Sequence, residues 1–234
     1  MKRVGLTMRV VRAESYAEQR DAIAQDWSRF LALALPDCQW MPVPNLGPEV
    51  VDFVRSWGLE GLILTGGNDL GEAPTRDSTE SALLCFALEG AMPVFGVCRG
   101  LHMIQHFSGG TMSACSREAH VATRHSVRFE PTLGGMHERI VNSFHGLGVR
   151  LDELAPDLLS TAVSEDGWIE GIVHRFAPLT AVQWHPERNV TTDPEDVLLL
   201  RHALGLEPLP NPSDPLFADT INLLTPFTFP PCVP

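Results

Sequence analysis

Residues 93–107 pass from an apolar strand, Pro93-Val-Phe-Gly-Val97, into a helix predicted over 99–107, with a single cysteine, Cys98, at the joint. A chain that changes from strand to helix within one residue must turn sharply there. The positions two before and two after crowd that turn and favour glycine. Gly96 and Gly100 occupy them. The helix starts at the cysteine, so its N-terminal dipole favours thiolate over thiol. The Arg99 amide would point at an oxyanion developing beside the sulfur. A lone cysteine more often reads as a small core residue; the ordered strand, glycines and helix make Cys98 a candidate nucleophile.

The rest of the chain sets this elbow in an alternating pattern. Strands are expected at 2–7, 39–43 and 61–64, and helices at 15–35, about 48–57 and about 77–91. In the first helix Tyr16, Ile23, Trp27, Phe30, Leu31 and Leu35 recur at three- and four-residue steps. Alternation of this kind predicts crossover connections, a parallel sheet and helices on both faces. After residue 120 the pattern changes to short strands at 125–129, 159–164, 167–174 and 180–184, with a turn at Glu165-Asp166-Gly167. This portion is expected to be antiparallel, and a last helix spans 194–204. The expected division is a domain over 1–205 and a tail over 206–234, where eight of 29 residues are proline.

A nucleophile needs a base, and the base needs an orienting group. Trp184-His185-Pro186-Glu187 closes the 180–184 strand. In an extended segment residues two apart share a face, so His185 and Glu187 are expected together, Glu187 holding one imidazole nitrogen. Leu64-Thr-Gly66-Gly67-Asn68-Asp69 follows the strand one crossover before the elbow. Its glycines let backbone amides approach a substrate oxygen, and Gly67 is expected to complete an oxyanion hole with Arg99. Gly66 and Asn68 are candidate substrate neighbours.

Composition narrows the partners. The formal net charge is −12 with no run of basic residues, which argues against nucleic acid and anionic membrane. There is no 18-residue apolar run, and the start lacks the apolar stretch of a signal peptide. Five cysteines without CxxC spacing fit a reducing cytoplasm, with no disulfide framework and no metal site. His102 and His106, four apart, mimic a ligand pair but have no third partner in register. Cys38, Cys85, Trp27 and Trp57 read as core, and Cys115 as a residue of an exposed polar loop.

These motifs, with Gly109-Gly-Thr-Met112, Val141-Asn-Ser-Phe-His145 and Arg188, resemble the class I glutamine amidotransferase superfamily, in its stand-alone γ-glutamyl hydrolase branch. The resemblance runs from Val4 to about Leu206. It implies a flavodoxin-like three-layer α/β sandwich with a mostly parallel sheet and a small antiparallel portion. It also implies a Cys98-His185-Glu187 triad cleaving a γ-glutamyl amide through a thioester, with no cofactor. A small-molecule substrate is implied, and a homodimer stays open. Cys98-Arg-Gly100 looks like the hydrolases of γ-glutamyl-γ-aminobutyrate. Gly5-Leu-Thr-Met-Arg9, Ser15-Tyr16 and Arg20-Asp-Ala22 through Trp27 are similar to the γ-glutamyl-CDP-amidate hydrolases of surface-polysaccharide modification. The superfamily often has glutamine where this chain has His102. Ser143, Phe144 and His145 match the loop that cradles the glutamyl α-carboxylate, and with His102 are candidate substrate contacts. The alternative is a glutaminase subunit supplying ammonia to a synthetase.

Overall fold

The computed structural model describes residues 1–130 and 137–209. Its frame is a nine-stranded mixed sheet. The parallel half contains β1 (Arg3–Thr7), β4 (Gln39–Val43), β5 (Gly61–Leu64), β6 (Val94–Val97) and β13 (Leu179–Val182), in the order β4-β1-β5-β6-β13. The sheet continues antiparallel through β12 (Ile169–His174), β11 (Leu158–Ser164), β8 (Val121–Phe129) and β9 (Glu138–Phe144). Two small two-stranded ribbons lie outside it: β2 (Arg9–Arg12) with β3 (Gln19–Ala22), and β7 (Ser113–Ala114) with β10 (Leu147–Gly148).

β5 and β6 are the all-apolar runs Gly-Leu-Ile-Leu and Val-Phe-Gly-Val, buried at every position. Such runs belong in the middle of a parallel sheet, where both faces are covered. On one face α1 (Asp26–Ala34) and α6 (Pro194–Ala203) pack together over a core that includes Trp27, Phe30, Ile63, Phe95 and Trp184. The other face carries α2 (Val50–Trp57), α3 (Pro74–Glu89) and α4 (Arg99–Phe107), with Val54, Leu62, Leu84, Leu101 and Ile104 in its core. Helix, sheet, helix gives the expected three layers. A four-residue helix, α5 (Arg117–His120), leads into β8.

The expected helix over 15–35 is corrected in its first half. Only 26–34 is helical, burying Trp27, Phe30, Leu31 and Ala34 at the spacing of one helix face. Residues 9–22 instead form the β2–β3 hairpin. Tyr16, read as part of the apolar stripe, is exposed. The reason is tertiary: the Asn68 side chain pairs with the backbone of Val10, its Oδ1 accepting from Val10 N (2.8 Å) and its Nδ2 donating to Val10 O (3.0 Å). The strand expected over 180–184 ends at Val182, and Trp184 donates its indole N–H to Asp196 Oδ1 at 2.9 Å.

Three further expectations are revised. Cys85 is exposed rather than core, Trp57 lies half in solvent, and Cys115 is buried rather than exposed. Residues 206–209 dock back on the last helix, where Arg201 Nε donates to Glu207 O at 2.6 Å; the rest of the expected tail lies outside the described residues. Among the described residues, no helix is long and apolar enough to cross a membrane.

Candidate active site

β5, β6 and β13 are adjacent and parallel, so their C-terminal ends open on one edge of the sheet. That edge is where open α/β sheets place ligands. The loop 65–69 leaves β5, Cys98 follows β6, and 183–187 follows β13. Three stretches far apart in sequence thereby meet.

Cys98 has φ 53° and ψ −104°, outside the regions open to ordinary residues. Its amide donates to Val182 O (2.8 Å), and its carbonyl accepts from Leu101 N (2.9 Å), so strand and helix both hold the strained joint. The flanking glycines are obligatory for contact reasons. A Cβ on Gly96 would come within 2.8 Å of Ala181 Cβ, and one on Gly100 would run into the Leu64 carbonyl. Gly66 is equally constrained, since its Cβ would lie 2.6 Å from the His185 ring.

His185 Nδ1 pairs with Glu187 Oε1 at 2.7 Å, and both side chains are buried. They meet by a route other than strand alternation. His185 is extended, but Pro186–Arg188 is a short 3₁₀ turn that folds the carboxylate back onto the ring. Asn142, from β9, fixes the His185 backbone in both directions: Nδ2 donates to His185 O (2.8 Å) and Oδ1 accepts from His185 N (2.9 Å). Burial by itself would raise the Cys98 thiol, but the adjacent His185, helped by His145 and Arg188, holds it below its ordinary value. Burial likewise opposes charge on His185, yet Cys98 and Glu187 push it up to about 9. The two groups stabilise each other as thiolate and imidazolium.

Arg76 carries no motif in the sequence but organises the site. It is fully buried, and its guanidinium donates to Thr65 O (2.6 Å), Gly66 O (3.2 Å) and Gly67 O (3.1 Å). A trans peptide points its C=O and N–H in opposite directions. Gripping the carbonyl of Gly66 therefore turns the Gly67 N–H away from Arg76. Arg76 Nε also pairs with Glu80 (3.0 Å), and the Arg99 side chain pairs with Glu80 and Asp77. Burial would raise the Glu80 carboxyl, but the two arginines outweigh it and keep it ionised. The Arg99 side chain thus braces α4 against α3.

A cavity of about 500 Å³ opens beside Cys98, within the range of small-molecule sites. Gly67, Asn68, Asp69 and Glu72 line one part, and Arg117, Phe144, His145, Gly146 and Arg188 another, with His102 and His185 also on its surface. Arg188 lies over the Phe144 ring at 4.5 Å. Burial, with the nearby charge of His145, pushes His102 down to about 4, so it faces the cavity as a neutral imidazole. Ser143 is not brought to this surface: its hydroxyl donates to His120 O at 2.8 Å beneath the wall. Asn68 reaches the cavity, but its amide is engaged by the β2–β3 hairpin. His102 and His106 share no site, the first being buried and the second exposed. Sequence reasoning missed Arg76, Glu80 and the clamp by Asn142; of these only Asn142 lies inside a recognised motif.

The profile of the Peptidase C26 family matches residues 13–187. The gamma-glutamyl-CDP-amidate hydrolase of Campylobacter jejuni is 30% identical over 191 residues, covering 79% of this chain and 90% of that protein. The gamma-glutamyl-gamma-aminobutyrate hydrolase of Escherichia coli O157:H7 is 32% identical over 150 residues, covering 53% of this chain and 57% of its own. Among solved structures, a glutamine amidotransferase from Thermotoga maritima superposes with a TM-score of 0.57 at 14% identity, over 86% of this chain and 82% of that one. Another solved structure, from Thermoplasma acidophilum, reaches 0.64 at 20% identity, over 88% and 93%. These two likenesses establish the fold. With three quarters of the chain under one family profile, this protein belongs to the Peptidase C26 family of class I glutamine amidotransferase-like hydrolases.

Proposed function

We propose that this protein hydrolyses a γ-glutamyl amide through a thioester on Cys98. The observation that carries the reading is the buried Cys98–His185–Glu187 chain at the edge of a 500 Å³ cavity. The thiolate attacks the γ-carbonyl carbon, and the oxyanion is held by the amides of Gly67 and Arg99. His185 then gives its proton to the leaving nitrogen as the C–N bond breaks. Water, deprotonated by the same imidazole, attacks the thioester; glutamate leaves and the thiolate is restored.

The charges lining the cavity support one choice of substrate. Arg117 and Arg188 line it in a chain that is otherwise strongly acidic, together with Asp69 and Glu72. Cations on the cavity wall favour an anionic substrate, and the C. jejuni relative is named for a nucleotide amidate. We take γ-glutamyl-CDP-amidate as the first substrate to test. Glutamate release is expected to be at least tenfold more efficient from this compound than from γ-glutamyl-γ-aminobutyrate or glutamine, a difference of about 1.4 kcal/mol. Best activity on glutamine, appearing only with a synthetase added, would identify an ammonia-supplying subunit instead.

The ionisation states give a pH profile. As pH rises through about 9, His185 loses the proton it delivers to the leaving nitrogen, so kcat/KM falls on the alkaline side. As pH drops, the Cys98 thiolate is protonated and kcat/KM falls again, at a pH below that of an ordinary thiol. Initial rates across pH check this; a rate still climbing well above the His185 value contradicts the assignment.

A further inference from the structure

Beneath the cavity wall lies a polar cluster of which only His145 also lines the cavity. His120 ends α5, His125 sits in β8, His145 follows β9, and Glu170 lies in β12. His120, His145 and Glu170 are buried, and one donor atom from each lies within 4.8 Å of the others. We propose that these three side chains, with His125 as a fourth donor, form a buried site for a divalent transition metal of the zinc class.

Three observations carry this. The first is distance. His145 Nε2 and His125 Nε2 lie 3.3 and 3.4 Å from the same Glu170 oxygen. Ligand atoms on a tetrahedral zinc, with bonds of about 2.0–2.1 Å, stand roughly 3.3 Å apart. The second is unmet polarity. Among the described residues neither Glu170 oxygen has an aligned hydrogen bond, nor does His145 Nε2, His120 Nδ1 or either nitrogen of His125. Burial opposes charge on Glu170, and the imidazoles of His125 and His145 beside it hold it ionised; a cation at the centre would take over that role.

The third is the outer shell. His145 Nδ1 pairs with Leu147 O at 2.8 Å, and His120 Nε2 with Asp166 Oδ2 at 2.9 Å. Each partner takes the outward N–H, so the inward nitrogen is the one able to bind a metal, as around metal-bound histidine.

The competing occupant is a proton. Burial opposes charge on His145, but the Cys115 thiol and Glu170 beside it push the imidazole up to about 10. A metal would take that lone pair and release the proton. Bound there, the ion would tie α5, β8, β12 and the turn after β9 together, and so set the position of the cavity wall from Phe144 to Leu147.

Metal-stripped full-length protein titrated with Zn²⁺ and Co²⁺ tests the site. One equivalent per chain is expected, with a rise in Tm and the intense visible absorption of tetrahedral Co²⁺. Glu170→Gln should weaken binding at least a hundredfold. Should that variant not fold, Asp166→Asn at a half-exposed position should still weaken it roughly 10–100-fold. Cys98→Ala should retain the full equivalent. The proposal fails if the wild-type chain takes up no stoichiometric metal, or if affinity survives Asp166→Asn unchanged. It fails equally if binding is lost in Cys98→Ala, which would move the ion to the catalytic thiol.

Discussion

Cys98→Ala is expected to lower glutamate release by roughly 10⁴-fold or more while leaving the fold intact. Removing the nucleophile of a cooperating set costs about as much as removing the whole set. The substitution deletes one sulfur from a side chain that already has little access to solvent. Glu187→Gln is expected to cost roughly 10³–10⁴-fold, because the amide cannot stabilise the imidazolium and favours the wrong tautomer. The distinguishing readout is the thioester. Rapidly quenched wild-type protein should carry a glutamyl adduct by intact mass, Cys98→Ala none, and Glu187→Gln one that forms slowly. Turnover within tenfold of wild type in Cys98→Ala would end the nucleophile assignment.

The largest stability effect is expected at Arg76. Arg76→Met removes the donor to three consecutive carbonyls and strips the fully buried Glu80 of one of its two arginine partners. Breaking a buried ion pair from one side costs roughly 3–5 kcal/mol. For a chain of this size that lowers Tm by roughly 6–20 °C. Thermal and urea unfolding followed by circular dichroism give both numbers. Arg76→Lys should fall between, since one ammonium cannot span three carbonyls in a fixed fork. The surviving activity of the folded fraction should drop too, because the Gly67 amide is no longer aimed. A loss below about 1 kcal/mol in Arg76→Met, inside the range of exposed pairs, would show that water replaces the guanidinium.

The parallel half was legible because its signals are local. All-apolar runs at 61–64 and 94–97 have no other stable place than the middle of a sheet. The glycines at 96 and 100 mark the sharp turn, although the first atoms a side chain there would meet, Ala181 Cβ and the Leu64 carbonyl, belong to neighbouring strands. His185 and Glu187 were recognisable as a pair from their spacing, although the spacing suggested strand alternation and the chain uses a 3₁₀ turn. Residues 15–22 were misread as helix because a three-to-four-residue repeat of a few apolar side chains was weighed without Asn68, which lies more than forty residues on and captures Val10 by its backbone.

By itself, the sequence determined the alternating α/β frame, the cysteine elbow and the residue types able to serve it. Those are consequences of backbone sterics and hydrophobic period, which act over a few residues. Only the tertiary structure decided that Arg76 grips the loop 65–67, that Asn142 holds His185, and that three histidines and Glu170 converge under the cavity wall. Each of these depends on bringing a charge or a donor from one element into the buried, low-dielectric neighbourhood of another. That interaction becomes strong only where water has been excluded, and no spacing along the chain encodes where that will be.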